Sequence, residues 1–469
     1  MEDRPETREL RRAMGFGDVT LFFITAVLSL RWLGTAAAAG ASSILIWIVA
    51  LITFFLPLAF TVIELSSRFP DEGGLYVWTR EAFGELAGFI TGWTYWASNL
   101  VYFPALLYFS AEAAIYIGGW EGLAKNRIYF VIASIAGLVI AAGLNIVGLD
   151  IGKWLHNVAA IATWLPIAVL LAGGAVAWAH HGGSGQFEIH RFIPSRGWKD
   201  VVFWSTIAFA FAGLESASLM GGEIRNASRV VPRAIVLSGT LITVVYILGT
   251  AAIIVALPGQ DISSLAGFMQ AIASISTQLH VPGIVPFVAL LIAVSGVGGV
   301  GAWLAATARL PFVAGIDHVL PDAFGRLHPR WKTPWIALLT QTGLAAVFVV
   351  LGQAGTSVRG AYDVLVSLGV ISYFIPFLFM FAAMIRHQRT RPAAGVLHVP
   401  GGKPVALVFA WLGLATTAIS IALAMIPSAD EPNPRLALLK IIGSTLVLLG
   451  VGLALYASGR RSARERSQP

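Results

Sequence analysis

The chain of 469 residues is 57% hydrophobic and only 12% charged, whereas soluble domains carry about 25% charged residues. It has too few polar side chains to cover a water-facing surface, so its apolar side chains need the bilayer as their solvent. The absence of cysteine excludes disulfides, zinc–thiolate sites and thiol nucleophiles. The net charge of +7 indicates Lys and Arg in cytoplasmic loops rather than nucleic-acid binding.

Twelve segments have about the 20 mainly apolar residues that a membrane-spanning helix needs. In chain order they are 17–39, 43–67, 85–117, 128–149, 152–178, 200–222, 234–257, 283–313, 334–353, 361–384, 404–426 and 436–457. The links between them are too short for a soluble domain. The sequence therefore predicts an all-α polytopic membrane protein with twelve transmembrane helices, organised as one permease domain over 1–469. The link around 262–279 has apolar spacing and is predicted to form a short surface helix.

The basic residues are distributed unevenly between the two sides of this arrangement. If the N-terminus is inside and the links alternate, 22 of the 31 Lys and Arg residues lie inside and 8 lie outside, with Arg31 within the first span. Cytoplasmic loops are enriched in Lys and Arg. This bias predicts a multi-pass protein of the cell membrane with both short tails in the cytoplasm.

Two of the predicted spans look interrupted. Arg31 lies midway along span 1, and a charge at that depth has to face a cavity or a partner. In span 6, Gly213 weakens the helix and Glu215 places a carboxyl at depth. Broken helices at matching positions of two halves are typical of inverted-repeat transporters whose site lies at the midplane. We therefore expect two five-helix repeats, over 17–178 and 200–384, followed by two additional helices over 404–457.

Three stretches in chain order resemble those of a known superfamily. They are Glu64-Leu65-Ser66-Ser67-Arg68-Phe69-Pro70 with Gly73-Gly74-Leu75-Tyr76, the stretch from Phe209 to Glu215 continuing through Glu223 to Val231-Pro232-Arg233-Ala234, and Arg309-Leu310 with Leu320-Pro321, His328-Pro329 and Thr333-Pro334. The ordered set resembles the amino acid–polyamine–organocation (APC) transporters. The resemblance implies a LeuT-like 5+5 inverted repeat with broken helices 1 and 6, and transport of amino acids.

The first span departs from the common pattern of that superfamily. Many members carry a Gly-rich turn where this chain has Ser29-Leu30-Arg31-Trp32-Leu33-Gly34. This stretch is similar to the bacterial glutamate/GABA antiporter branch, whereas the span 6 core is similar to the arginine/agmatine antiporter branch. The two likenesses imply different substrates, so the particular amino acid stays open.

The candidate substrate site lies at the two breaks. Unwound backbone exposes N–H and C=O groups that can hold an amino acid, and the positive end of a half-helix favours its carboxylate. The backbone of Leu30–Gly34 and Ala212–Leu214 is expected to form the main contacts. The full predicted substrate-binding set is Ser29, Leu30, Arg31, Trp32, Leu33, Gly34, Asn99, Phe209, Phe211, Ala212, Gly213 and Leu214.

Several of these residues admit two interpretations. Arg31 either pairs with a substrate carboxylate or forms a structural pair with an acid such as Glu215. Glu215 is either a protonatable gate, a role that the resemblance supports, or a fixed brace between helices. Phe209 matches an aromatic gate in relatives, but Phe side chains more often pack in the core. Asn99 and Ser295 are polar residues at depth that more often bond a neighbouring helix.

The predicted function is secondary active transport of amino acids by alternating access, as an exchanger or a proton-coupled permease. No catalytic residue, metal site or cofactor is expected, and Gly296–Gly301 is interpreted as close helix packing rather than a dinucleotide motif. The expected partners are the small-molecule substrate, membrane lipid and protons, in a monomer or homodimer. The alternatives are a polyamine or amine transporter, a receptor that senses amino acids without transport, and an integral-membrane enzyme.

Overall fold

The structure is a computed structural model that describes residues 15–69, 74–147, 149–182, 187–216, 218, 224–308, 322–390, 396–427 and 433–466. These residues form helices joined by turns, and no β-strand occurs among them, which confirms the predicted all-α class for this part of the chain. Several residues of the three sequence motifs lie outside the described residues, namely Pro70, Gly73, Glu223, Arg309, Leu310, Leu320 and Pro321.

Most helices follow the predicted apolar segments closely. They are α1 Phe16–Val27, α2 Leu30–Ala37, α3 Ser42–Ala50, α4 Leu56–Arg68, α5 Leu75–Phe83, α6 Glu85–Gly118, α7 Arg127–Val147, α8 Leu149–His181, α9 Ile189–Phe192, α10 Trp198–Ala210, α11 Ala227–Ala256, α12 Gly267–Leu279, α13 Ile284–Thr307, α14 Trp335–Gln353, α15 Val358–His387, α16 Gly402–Ala424 and α17 Pro434–Arg466. A π-helical turn, Leu51–Phe55, joins α3 to α4.

Ten helices within the described ranges are long and apolar enough to cross a membrane. They correspond to ten of the twelve predicted spans. The other two predicted spans are those expected to be broken: 17–39 is divided between α1 and α2, and α10 covers only the first part of 200–222. The twelve-span inverted repeat therefore stays a prediction, while a multi-pass helical membrane protein is established.

The outer helices carry large apolar side chains that the rest of the described chain leaves exposed. Ile128 on α7 is 70% exposed and Leu439 on α17 is 68% exposed. Such surfaces are stable against lipid tails but not against water. In contrast, α6 and α15 bury most of their side chains and form the centre of the bundle.

The predicted surface helix around 262–279 exists as α12, which buries one face and leaves Thr277 and Leu279 exposed. Phe268 and Ile272 are fully buried, and a Cβ added at Gly34 would lie 3.2 Å from the backbone nitrogen of Phe268. The helix therefore packs directly on α2, because Gly34 lets the two backbones approach. Its apolar spacing predicted the helix correctly but gave no information about this partner.

The glycines of α13 serve close helix packing, as the sequence predicted. A Cβ added at Gly296 would lie 1.6 Å from the Ser110 hydroxyl oxygen, so α13 and α6 approach at this point only because the side chain is absent. On the same helix, the Ser295 hydroxyl lies 2.6 Å from the Thr163 hydroxyl of α8. Ser295 thus bonds a neighbouring helix, as expected.

The sequence motif that begins at Glu64 fastens the end of α4 to a later part of the chain. The buried Glu64 carboxylate accepts hydrogen bonds from Gln388 Nε2 at 2.5 Å and from the Val399 backbone N–H at 3.1 Å. Three residues on, the Ser67 hydroxyl accepts one from the Leu397 N–H at 2.9 Å. These bonds hold the link before α16 against the ends of α4 and α15.

Candidate functional site

The first break lies between α1 and α2. Helix α1 ends at Val27, Leu28 and Ser29 are extended with ψ of 114° and 127°, and α2 begins at Leu30. The predicted unwound segment Leu30–Gly34 was therefore wrong in position, because these residues form the first turns of α2. Polarity at Arg31 marked the right region, but the backbone opens two residues earlier.

The second break lies where the sequence placed it. Helix α10 ends at Ala210, Phe211 to Gly213 form a turn, and Leu214 to Ser216 form a short 3₁₀ turn. Gly213 has a φ of 130°, a conformation that L side chains rarely adopt, and an added Cβ would lie 3.0 Å from Val27 Cγ2. Glycine is required here because the two breaks touch each other.

A single hydroxyl group from α11 joins both breaks. Tyr246 Oη lies 2.7 Å from the Val27 carbonyl oxygen and 3.2 Å from the Ala210 carbonyl oxygen, the last residues of α1 and α10. It also accepts a hydrogen bond from the Ser29 N–H at 3.3 Å. The Tyr246 ring stacks on Trp47 with 4.4 Å between centroids, which fixes the position of the hydroxyl.

A cavity opens between the two breaks and the central helices α6 and α15. Its wall consists of Ala26, Val27, Ser29, Arg31, Trp32, Ser98, Asn99, Tyr102, Phe209, Ala210, Ala212, Trp303, Gly369 and Tyr373. Six predicted site residues belong to this wall, namely Ser29, Arg31, Trp32, Asn99, Phe209 and Ala212.

The remaining predicted residues do not line the cavity. They are Leu30, Leu33, Gly34, Phe211, Gly213, Leu214 and Glu215. Phe211 is fully buried behind the break, in contact with the rings of Trp47 and Phe55. Leu33 faces α11 at Gly249. Phe211 and Leu33 therefore pack behind the breaks and support them, outside the cavity wall.

The sequence prediction missed the contributions of α13 and α15 to the cavity wall. Trp303, Gly369 and Tyr373 come from these helices, and no local pattern distinguishes them from core residues. Tyr102 and Ser98 could have been found, because they lie on α6 within one turn of Asn99. Asn99 itself donates a hydrogen bond to the Tyr95 carbonyl oxygen of its own helix at 3.0 Å, not to a neighbouring helix.

Arg31 places a positive charge in the wall, and no acid among the described residues forms a salt bridge with it. Its side chain is 2% exposed, and its Nε and Nη1 atoms find no hydrogen-bond partner among the described residues. The guanidinium carbon lies 4.1 Å from the Trp32 ring centroid and 5.1 Å from that of Tyr102. Aromatic faces attract a cation but do not use its N–H donors, so this donor set is available to a ligand.

The predicted structural pair between Arg31 and Glu215 does not form, because Glu215 is engaged elsewhere. Its carboxylate accepts hydrogen bonds from Tyr95 Oη at 3.2 Å, from Tyr373 Oη, and from the Gly213 N–H at 3.0 Å. Glu215 is fully buried and connects the second break to α6 and α15. This geometry fits the predicted brace between helices. Tyr373, which bonds the carboxylate, also lines the cavity.

Aromatic rings close one side of the cavity. Phe209 packs edge-on against Trp32 with 5.7 Å between centroids and against Tyr373 with 5.6 Å. Phe209 is 8% exposed, so it belongs to the wall and to the core at the same time.

Apolar spanning helices around a buried cavity at two interrupted helices are the features of a multi-pass membrane transporter. The sequence profile of the amino acid permease family matches residues 13–448. The chain belongs to this family, within the APC superfamily.

Three relatives that match most of this chain carry the names of transporters. An uncharacterized transporter of Legionella pneumophila is 29% identical over 431 residues, which cover 90% of this chain and 91% of the relative. A serine/threonine exchanger of Bacillus subtilis is 26% identical over 72% of this chain and 74% of its own length. A probable agmatine/putrescine antiporter of Lactococcus lactis is 22% identical over 89% of this chain and 88% of its own length.

We expect the Tyr246→Phe substitution to destabilise the protein by about 1–3 kcal/mol, because it leaves buried backbone groups of both breaks without their partner. Thermal unfolding in detergent measures the change. Tyr456→Phe is the matched control, since the Tyr456 hydroxyl has no hydrogen-bond partner among the described residues. Equal stability of the two variants would show that Tyr246 does not hold the breaks.

Proposed function

We propose that this protein transports amino acids across the cell membrane by alternating access, with the substrate bound in the cavity between the two breaks. The five-helix repeats over 17–178 and 200–384 would move against each other, with 404–457 outside them and both tails in the cytoplasm. Exchange of two amino acids and coupling to protons are both compatible with this cycle.

The observation that carries the proposal is the cavity at the uncapped start of α2. No side chain caps the N-terminus of this helix, and its Trp32 N–H donates to the Ser29 carbonyl oxygen, so the N–H groups of Leu30 and Arg31 remain for a carboxylate, which the helix dipole also favours. Ala26 and Val27 at the end of α1 line the same cavity, and a backbone carbonyl there can accept a hydrogen bond from an ammonium. Backbone N–H donors and carbonyl acceptors therefore border one cavity. An amino acid needs both, because its carboxylate accepts hydrogen bonds and its ammonium donates them.

The relatives' names point to different substrates, and the charge of the cavity helps to choose between them. The serine/threonine exchanger supports amino acids, and the probable agmatine/putrescine antiporter supports amines. An amine with several positive charges needs acids around it, whereas the described wall contains Arg31 and no Asp or Glu. Amino acids are therefore the better substrate class.

A receptor or an enzyme would need features that the site does not supply. The family and the relatives are transporters, and the wall carries no pair of acids or histidines that would support hydrolysis. Uptake by the purified protein in liposomes separates transport from sensing, since a receptor binds amino acids without flux. No uptake or exchange of any amino acid in a complete panel would overturn the proposal.

We expect Gly369→Leu to lower amino acid uptake at least tenfold, because the new side chain would fill the cavity opposite Phe209. A Cβ at this position would already lie 3.9 Å from Phe209 Cζ. Gly343→Leu on α14 is the matched control, because nothing lies within 4 Å of its Cβ position. Unimpaired uptake by Gly369→Leu, with unfolding temperature as a check on folding, would place the substrate elsewhere.

Glu215→Gln should flatten the dependence of uptake on pH. Glutamine keeps the shape, and its amide oxygen still accepts hydrogen bonds from Tyr95 and Tyr373, but it cannot take up a proton, and its amide nitrogen cannot accept from the Gly213 N–H. The measurement is uptake rate against pH in liposomes, with Glu85→Gln as control because Glu85 is largely exposed. An unchanged profile would reduce Glu215 to its bracing role.

A further inference from the structure

A group of buried hydrogen-bond donors without acceptors lies beside Arg31. In addition to Arg31 Nε and Nη1, the Tyr362 hydroxyl of α15 and the Ser264 hydroxyl before α12 have no partner among the described residues. Tyr362 is 1% exposed. Buried polar groups in native proteins are nearly always paired, so several orphans together indicate a missing partner.

Thr35 connects these groups into one pocket. Its hydroxyl oxygen lies 3.0 Å from the Arg31 carbonyl oxygen of its own helix and 3.2 Å from the Ser264 carbonyl oxygen. The Tyr362 hydroxyl interacts with the Thr35 side chain and with the Arg31 guanidinium, although neither contact has the geometry of a regular hydrogen bond. The Tyr362 hydroxyl of α15 thus lies near the Arg31 side chain, and Thr35 ties α2 to the segment before α12 that carries Ser264.

The missing partner has to be an anion. Arg31 supplies a permanent positive charge and only donors, and the two hydroxyls can turn their protons toward the same acceptor. Asp363, which follows Tyr362 and acts on it electrostatically, has an interaction of its own. A carboxylate matches the guanidinium in shape and charge, and it forms the strongest hydrogen bonds with it.

We propose that this pocket, here called the donor pocket (Arg31, Tyr362 and Ser264), binds the side-chain carboxylate of the substrate, so that the protein prefers amino acids with an acidic side chain. The inference rests on the proposed function. The start of α2 takes the backbone carboxylate of the substrate, and the donor pocket takes the second one. Arg31 belongs to the cavity wall, whereas Tyr362 and Ser264 do not, so the second carboxylate meets the donor pocket at the Arg31 guanidinium.

The test compares glutamate with glutamine, which have nearly the same shape and differ in charge. Each competes for uptake of a labelled amino acid into liposomes that contain the wild-type protein. We expect glutamate to compete at least tenfold better than glutamine. Equal or better competition by glutamine would overturn the inference and leave the proposed function intact, whereas no uptake of any amino acid would overturn the proposed function.

Variants of the donor pocket locate this preference. Arg31→Gln should bring the glutamate-to-glutamine ratio close to one, and Tyr362→Phe and Ser264→Ala should each lower it severalfold. Arg80→Gln and Tyr456→Phe are controls, because Arg80 is partly exposed next to Glu81 and the Tyr456 hydroxyl bonds no described residue. If Arg31→Gln does not fold, the two milder variants decide, and an unchanged ratio in both would overturn the inference.

A free anion such as chloride also carries a negative charge and accepts hydrogen bonds, so it could fill the donor pocket instead. Uptake is therefore measured in chloride and in gluconate buffers. The proposal predicts the same glutamate preference in both. Uptake of neutral amino acids that requires chloride, and that loses this requirement in Arg31→Gln, would assign the pocket to a free ion and overturn the inference.

Discussion

A helix that breaks inside a bilayer releases backbone groups that lipid cannot satisfy. This protein has two such breaks, and one buried hydroxyl, that of Tyr246, serves the ends of both. The close approach depends on Gly213, where any side chain would collide with Val27. Because the breaks are held to each other, the half-helices keep a fixed spacing and the cavity between them has defined walls.

The two charged residues at the site, Glu215 and Arg31, make different kinds of contact. Glu215 is fully bound by Tyr95, Tyr373 and the Gly213 N–H, so it stabilises the second break and is not exposed to the cavity. Arg31 is buried with unused donors and faces the cavity. The site thus has a guanidinium in the cavity wall and a carboxyl bonded to the helices behind it.

The sequence predicted what depends on local pattern. Long apolar segments gave the spanning helices, and Gly213 next to Glu215 located the second break within a residue or two. The first break was misplaced because Arg31 marks the cavity, whereas the unwinding at Leu28 and Ser29 depends on Tyr246, which lies more than 200 positions away. For the same reason Trp303 and Tyr373 were missed: their role comes from helix packing, which has no local signal.

The central claim is that an amino acid binds between the two breaks. The most direct measurement is the unfolding temperature of the purified wild-type protein and of Gly369→Leu with and without each amino acid, because a ligand that binds only the folded state stabilises it by about 2.7 kcal/mol at a hundredfold excess over Kd. The account predicts that at least one amino acid raises the unfolding temperature of the wild type and not that of Gly369→Leu. An equal rise in both proteins would contradict it.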